Sequence, residues 1–199
     1  MEGPSHVVFG LAGAVVLDSA LHLSGPPLLG VPTAPTADQI ALKIIFYSVA
    51  GLGALVPDID NARSTLGKHL GIVSREIQKH AGHRRLFHSI VGLLLAALVT
   101  WGAERGVALA LQHFGWSFTA EALVANVALD ALLVGYLLHL IADSLTLGGV
   151  PWLWPSHARF GFPPERKWRF RSGSRVEPVV VVAVAVAVIV GIYTRHLMI

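Results

Sequence analysis

The chain contains no cysteine, which excludes disulfide bonds and thiolate metal sites. Charged residues are also scarce, since Asp, Glu, Lys and Arg make up only 14% of the 199 residues. An ordinary soluble domain has about 25%. Hydrophobic residues account for 54% of the chain and include several long uninterrupted runs. This composition indicates an integral membrane protein rather than a soluble domain.

Several catalytic signatures are missing as well. The sequence has no His-Glu-x-x-His pair of a zinc protease, no Gly-x-Ser-x-Gly turn of a serine hydrolase, and no Gly-rich Lys motif of an ATP-driven enzyme. The N-terminal letters MEGPSH lack the basic segment of a cleavable signal peptide, so the first apolar run is interpreted as a retained span. The formal net charge is only +3, and we predict no nucleic-acid partner.

Five apolar segments have about the length needed to cross a bilayer, roughly 20 residues each. The last one alternates Val and Ala, but its unbroken apolarity favours a membrane helix over a strand. We therefore predict an all-α fold, a single membrane-embedded helical domain over residues 1–199. The segments lie near Val7–Leu23, Gln39–Val56, Leu86–Gly102 or on to Leu111, Ala122–Leu145 and Pro178–Thr194.

Positive charge is concentrated on one side of this predicted bundle. The loops 57–85 and 146–177 face the same side as the N-terminus, and they hold 12 of the 15 Lys and Arg residues. The positive-inside rule makes that side cytoplasmic. We predict that the N-terminus lies inside and the C-terminus outside.

Histidine and aspartate side chains recur at the ends of the apolar segments. Under the orientation derived from Lys and Arg alone, all of them fall at the cytoplasmic end, which is the strongest pattern in the sequence. Two carboxylates follow the second segment, two histidines precede the third, and a His-x-x-x-Asp pair closes the fourth. The set is His6, Asp58, Asp60, His83, His88, His139 and Asp143.

The spacing of these residues is typical of a metal site. His139 and Asp143 are four residues apart, so both project from one face of a helix. His83 and His88 are five apart and would diverge on one helix, so we place His83 in the loop and His88 in the first helical turn. Imidazole with carboxylate suits Zn²⁺ best, with Mn²⁺ or Fe²⁺ as alternatives, better than Mg²⁺ or Ca²⁺.

The number of ions stays open at this point. Asp58 and Asp60 follow Pro57, which suggests an extended loop with one carboxylate facing the site. Seven candidate ligands exceed one tetrahedral shell, so two ions, or one ion with supporting partners, are both compatible with the sequence.

Other polar residues within the apolar segments serve as a comparison. Asp18 and His22 have the same four-residue spacing but lie near the outer end of the first segment without companions, which predicts a local hydrogen bond or a solvated helix end. Asp130 lies within the fourth segment, where exposure to lipid is costly. It is interpreted either as a hydrogen-bonding residue of the bundle interior or as a partner of Lys43.

Three motifs together resemble a known family. They are GALVPDIDNARS, HRRLFHS and GYLLHLIADSLTLGGVPWLWP, and His6 precedes them. The set resembles the YdjM-like family of small bacterial inner-membrane proteins, which are described as membrane-bound metal-dependent hydrolases. In many members the middle motif reads His-Arg-Gly-x-Thr-His-Ser, and here Arg85 and Phe87 replace the Gly and the Thr.

The resemblance implies a metal-dependent hydrolase in a bacterial inner membrane. The family is also distantly similar to zinc-dependent phospholipase C, and this similarity implies metal ligands at His6, Asp58, one of His83 or His88, His139 and Asp143.

If the protein is a metal-dependent hydrolase, we expect residues beside the metal ligands to take part in catalysis. Asp58 or Asp60 would act as general base on a metal-activated water, and Arg84 would hold a phosphate. The expected substrate is a phosphoester or a lipid at the cytoplasmic membrane face, with membrane lipids as partners. Two other functions remain open: a non-catalytic membrane protein whose helix ends are joined by metal, and a divalent-metal transporter. The sequence leaves the oligomeric state unassigned.

Overall fold

A computed structural model describes residues 1–25, 35–81, 85–115 and 120–197. Within these ranges the regular structure is helical, with isolated bridges but no strand, so the all-α prediction is confirmed. Two short 3-10 turns, Val56–Asp60 and Arg166–Trp168, accompany the α-helices. The α-helices are α1 (Gly3–Leu21), α2 (Ala37–Gly53), α3 (Thr65–Leu70), α4 (Ile72–Ala81), α5 (Ile90–His113), α6 (Ala120–Ser144) and α7 (Val176–Leu197).

Four helical segments are long and apolar enough to cross a membrane, by length and composition: Gly3–Leu21, Ala37–Asp60, Ile90–His113 and Leu123–Ser144. The fifth predicted segment is also a helix rather than a strand, and its apolar part, Val176–Ile192, is shorter. About five spans therefore agree with the fold that the sequence predicts.

The start of α5 differs from the prediction. Ser89 is the N-cap, and its hydroxyl accepts a hydrogen bond from the backbone N–H of Gly92 at 3.2 Å. The helix therefore begins at Ile90 rather than Leu86, because an N-cap residue lies directly before the first helical residue. His88 accordingly lies in the turn before α5, not in its first helical turn as predicted. The helix extends to His113, which agrees with the longer of the two predicted ends.

Helix α6 packs against α1, α2 and α5, while α7 packs against α1. The α2–α6 interface brings the two backbones into close contact. A Cβ on Gly135 would lie 2.0 Å from the carbonyl oxygen of Ala50, and a Cβ on Gly53 would lie 2.4 Å from that of Leu132. Small residues at such a contact are a common way to pack helices in membranes.

Gly135→Ala should therefore destabilise the protein, because the added methyl group meets backbone that cannot rotate away. We expect a loss of about 1–3 kcal/mol, measured by thermal or denaturant unfolding in detergent. Gly191→Ala is the matched control, since a Cβ there meets nothing within 4 Å and alanine favours the helix by up to about 1 kcal/mol. Equal stability of the two variants would contradict the close α2–α6 contact.

The segment after α2 is a 3-10 turn, Val56–Asp60, and not the extended loop that the sequence suggested. Pro57 is compatible with this turn because it lies in the first helical positions, where its missing N–H costs nothing. The basic segment that follows forms α3 and α4. Ser74 of α4 ties it to the turn by donating a hydrogen bond to the carbonyl oxygen of Ile59 at 2.7 Å.

The apolar helices alternate in direction, and five of their termini meet at one end of the bundle. Helices α1, α5 and α7 begin there, and α2 and α6 end there. The backbone N–H of Glu2 donates a hydrogen bond to Oε1 of Glu177 at 2.7 Å, which joins the start of α1 to the start of α7. All the His and Asp side chains of the predicted metal site that the structure describes lie at this end, so the predicted convergence is confirmed for them.

The other end of the bundle holds a buried ion pair. Asp18 is 1% exposed, and its Oδ2 lies 2.8 Å from Nζ of Lys43. The same oxygen accepts a hydrogen bond from the hydroxyl of Tyr47 at 2.8 Å, and Oδ1 accepts from the backbone N–H of Ser24 at 2.8 Å. This network joins α1 to α2 about 18 Å from His6, at 1.5 Å per residue of helix.

The prediction for Asp18 and His22 is confirmed in part, because the backbone N–H of His22 donates a local hydrogen bond to the Asp18 carbonyl and His22 is exposed. It is wrong for the Asp18 side chain, which is buried and has a partner on another helix. The two interpretations of Asp130 are also wrong. Lys43 pairs with Asp18 and not with Asp130, which is exposed on α6. The competing partner, Lys43, comes from a different helix, so the four-residue spacing could not reveal it.

Candidate metal centre

His139 and Asp143 project from the same face of α6, one turn apart, and both are fully buried. Nδ1 of His139 lies 2.7 Å from the carbonyl oxygen of Ala54. Because a carbonyl only accepts, Nδ1 carries the proton and Nε2 presents its lone pair to the centre. This arrangement is typical of a histidine prepared to bind a metal.

The first helix contributes His6, whose ring stacks on that of His139 with centroids 3.7 Å apart and planes 14° apart. Its Nε2 lies 3.3 Å from Oδ1 of Asp143. His6 is 1% exposed. The stacking and the carboxylate contact therefore direct the His6 ring into the same buried space as the α6 pair.

His88 enters from the turn before α5 and lies between two carboxylates. Its Nε2 is 3.2 Å from Nε2 of His139 and 3.6 Å from Oδ1 of Asp58. Its Nδ1 is 3.3 Å from Oδ2 of Asp60. Burial opposes protonation of His88, but the carboxylates of Asp58 and Asp60 outweigh it and raise the pKa of His88 to about 9. Asp60 thus holds the far side of the ring while Asp58 faces the centre.

The donor atoms of these side chains form three overlapping sets, and within each set they lie within 4.8 Å of one another. Every member is buried, and the combination of imidazole nitrogen with carboxylate oxygen suits a transition-type divalent ion. The cluster can therefore hold a metal ion. The sets are His6, Asp58 and His139; His88, His139 and Asp143; and Asp58, Asp60 and His88.

Six of the seven histidines and aspartates that the sequence singled out therefore meet in one cluster. The seventh, His83, and the predicted phosphate-binding residue Arg84 lie outside the described residues. Their assigned roles stay predictions.

Two contributors were not predicted from the sequence. The α-amino group of Met1 is buried and contacts Oδ1 of Asp143. The carbonyl group of Ala54 orients His139. Both are backbone groups, so no side-chain pattern in the sequence signals them.

Two cavities lie near the cluster, on different sides of α6. A polar cavity of about 340 Å³ reaches Asp58 and Met1. An apolar cavity of about 310 Å³ is lined by Ile141 and Ser144 of α6, and by Leu145, Trp152 and aromatic residues of the following loop. At about 100° per residue, Ile141 lies on nearly the opposite face of α6 from Asp143. The polar cavity is therefore the one on the same side as the cluster.

These observations define a helical membrane protein with a buried His/Asp centre, capable of holding a metal ion, at one end of the bundle. The chain belongs to the YdjM family: the family model described as "YdjM inner membrane protein" matches residues 1–198. The resemblance seen in the motifs is thereby confirmed at the level of the family.

Individual relatives agree with this assignment. The chain is 38% identical to the inner membrane protein YdjM of Escherichia coli (strain K12) over 112 residues, which are 56% of this chain and 50% of the relative. The Shigella flexneri YdjM protein gives the same values. The match thus spans about half the length of these relatives. YvsG of Bacillus subtilis (strain 168) is 26% identical over 164 residues, 82% of this chain and 79% of YvsG.

No solved structure matches the chain. The more distant similarity to zinc-dependent phospholipase C, inferred from the motifs, finds no support among these relatives and stays a prediction.

Proposed function

We propose that the protein is a membrane-bound, metal-dependent hydrolase that cleaves a phosphoester or lipid-type substrate at the cytoplasmic membrane face. The observation that supports this most is the position of Asp58, which belongs to the buried His/Asp cluster and also lines an adjoining polar cavity. A cluster that only stabilised the fold would have no need of such a cavity.

One or two divalent ions would be held by the clustered side chains, with Zn²⁺ as the first choice and Mn²⁺ or Fe²⁺ as alternatives. His139, already fixed in the required tautomer, and Asp143 would form the centre of the ligand set, joined by His6 and Asp58. His88 would join them by releasing its proton when the metal binds. When bound, the metal would act as a Lewis acid that activates water for attack on the ester.

Among the carboxylates, Asp58 is placed to work as the general base. Its side chain lines the cavity, so it can accept a proton from the attacking water as the bond to the leaving alcohol breaks. Asp60 is fully buried behind His88. We therefore assign Asp60 to orienting the His88 ring and not to proton transfer. The sequence had left the general base open between Asp58 and Asp60, and we propose Asp58. Arg84 keeps its predicted role in holding the phosphate.

The cytoplasmic orientation is part of the proposal. The loops at the cluster end of the bundle carry most of the Lys and Arg residues, and the positive-inside rule places such loops in the cytoplasm. The loop between α6 and α7 also exposes Phe162 and Trp168 beside several arginines. Aromatic and basic side chains together favour contact with anionic lipid headgroups.

Hydrolysis by the metal-loaded protein is the direct test. Detergent-purified protein should cleave a member of a panel of phosphate mono- and diesters, including phospholipids. Chelation should abolish turnover, and re-addition of Zn²⁺ or Mn²⁺ should restore it. Asp130→Asn, an exposed carboxylate on α6 outside the cluster, should retain full turnover. Metal-loaded protein that cleaves nothing on the panel would count against the hydrolase.

One observation favours a second candidate, a metal that joins helix ends without catalysis. The cluster is almost fully buried, as structural metal sites are closed to solvent. It connects four parts of the fold: α1, the 3-10 turn, α6, and the turn that precedes α5. In that case chelation should lower the unfolding temperature sharply, and no ester should be cleaved. A transporter would need polar residues available to the ion within the depth of the membrane. In the described residues Asp18 is already paired with Lys43, so it adds no support for transport.

A further inference from the structure

The polar cavity beside the cluster has walls of three different origins. The start of α1 supplies one wall, the 3-10 turn supplies a second with Asp58, and the third comes from the loop into α3, with Arg63, and from α3 itself, with Lys68. Its volume is about 340 Å³, which is within the range of small-ligand sites. The lining consists of Met1, Glu2, Gly3, Pro4, Asp58, Asn61, Arg63, Ser64, Thr65 and Lys68.

Positive charge predominates among the groups that would face an occupant. Arg63 and Lys68 are both exposed, and in the described part of the chain neither forms an ion pair with a carboxylate. Asp58 belongs to the metal-type donor sets, so Glu2 is the acidic side chain left to oppose them. Two uncommitted cations beside a polar cavity are suited to an anion.

The wall that carries these cations is fixed to the cluster. The hydroxyl of Ser64 donates a hydrogen bond to the carbonyl oxygen of Asp58 at 2.8 Å and accepts one from the backbone N–H of Gly67 at 2.9 Å. The start of α1, which forms the opposite wall, lies close to the start of α3. A Cβ on Gly3 would lie 2.1 Å from Oγ1 of Thr65. The backbone that carries Arg63 and Lys68 is therefore held against the Asp58 turn by specific hydrogen bonds.

We propose that this cavity is part of the substrate's phosphate-binding site, with Arg63 and Lys68 binding the phosphate group in addition to the Arg84 that the sequence predicts. The proposal rests on the hydrolase function of the same site and specifies its substrate as a phosphoester. It assigns anion binding to two residues to which the sequence patterns gave no role in the site. A phosphate held here places the scissile bond beside Asp58.

Binding of inorganic phosphate tests the inference without requiring turnover. Titration calorimetry on the detergent-purified full chain should show saturable binding. In Arg63→Gln/Lys68→Gln the affinity should fall by roughly tenfold for each charged hydrogen bond lost. Arg75→Gln/Lys79→Gln is the matched control, because it removes one Arg and one Lys from the exposed face of α4 and should leave affinity unchanged.

Metal content, measured in the same samples, separates this inference from the proposed function. If both double variants retain metal and only Arg63→Gln/Lys68→Gln loses phosphate, the inference is supported. If wild type binds no phosphate, or the two double variants weaken it equally, the inference is overturned even when the protein holds metal and cleaves an ester. Absence of metal and turnover, with phosphate binding still dependent on Arg63 and Lys68, would overturn only the hydrolase.

The phosphate could belong to a lipid headgroup or to a water-soluble ester. A second titration with a short-chain phosphatidic acid below its micelle concentration distinguishes them. Tighter binding than inorganic phosphate, lost in Arg63→Gln/Lys68→Gln, supports the cavity and a lipid source. Equal affinity for both, also lost in that variant, supports the cavity and a soluble source. If Arg63→Gln/Lys68→Gln binds the lipid as tightly as wild type does, the lipid does not bind in this cavity and the proposal is overturned.

Discussion

Asp143→Asn is expected to remove the bound metal from the protein. Its carboxylate lies 3.3 Å from Nε2 of His6 and 3.8 Å from Nε2 of His88, so it is shared between two histidines of the cluster. Loss of a partner outside the ligand shell already weakens metal binding by about 10–100-fold, and loss of a direct ligand should exceed this. Elemental analysis of purified protein, in moles of metal per chain, measures the effect.

The control is the same substitution elsewhere on α6. Asp130→Asn removes an exposed carboxylate that no donor set includes, so its metal content should equal that of wild type. Wild type is expected to hold one or two equivalents after reconstitution with Zn²⁺ or Mn²⁺. No metal in wild type, or identical content in both variants, would contradict the metal centre and with it the proposed hydrolase.

The second large effect is expected at the opposite end of the bundle. Lys43→Met leaves the buried Asp18 carboxylate without its cation, and removing one partner of a buried ion pair typically costs about 3–5 kcal/mol. The hydrogen bonds from Tyr47 and Ser24 remain, so we expect the lower part of that range. Denaturant unfolding in detergent measures the change.

The double variant Asp18→Asn/Lys43→Met provides the reference for this pair. With the charge gone from both sides, much of the lost stability should return, because a neutral amide is less costly to bury than an unpaired carboxylate. Metal content should stay at the wild-type value in both variants, since the pair lies far from the cluster. A single variant as stable as wild type would show that the ion pair adds nothing.

The metal cluster could be predicted largely from the sequence because each member lies at the end of an apolar segment. Once Lys and Arg set the orientation, His6, Asp58, His88, His139 and Asp143 were all placed on the same side. Helical spacing alone then put His139 and Asp143 on one face. Distances within the cluster could not be predicted, since they depend on how closely α2 and α6 approach at Gly135.

The errors arose where a tertiary partner competes with a local pattern. Asp18 and His22 have the spacing of a helical pair, but Lys43 from α2 offers the carboxylate an ion pair and displaces the local contact. The turn after Pro57 was expected to be extended, whereas a 3-10 turn lets Asp58 and Asp60 approach opposite nitrogens of His88. Neither outcome is visible in periodicity.

The cation pair in the polar cavity was overlooked for a related reason. Arg63 and Lys68 looked like ordinary positive-inside charge, and their number along the chain says nothing about a cavity. Only the folding of α3 against the 3-10 turn, through Ser64 and the Asp58 carbonyl, places them beside the cluster. Arg84, which the sequence did single out, directly follows His83 in the sequence.

The long sequence separation of the clustered residues has a consequence for biogenesis. His6 is synthesised early, but its partner Asp143 follows more than 130 residues later, an interval of roughly ten seconds at the usual rates of translation. During that time α1 and α2 enter the bilayer with half of a metal site, and the centre closes only when α6 arrives. Metal capture by the sets that include His139 and Asp143 would then be a late step that reports on completed assembly.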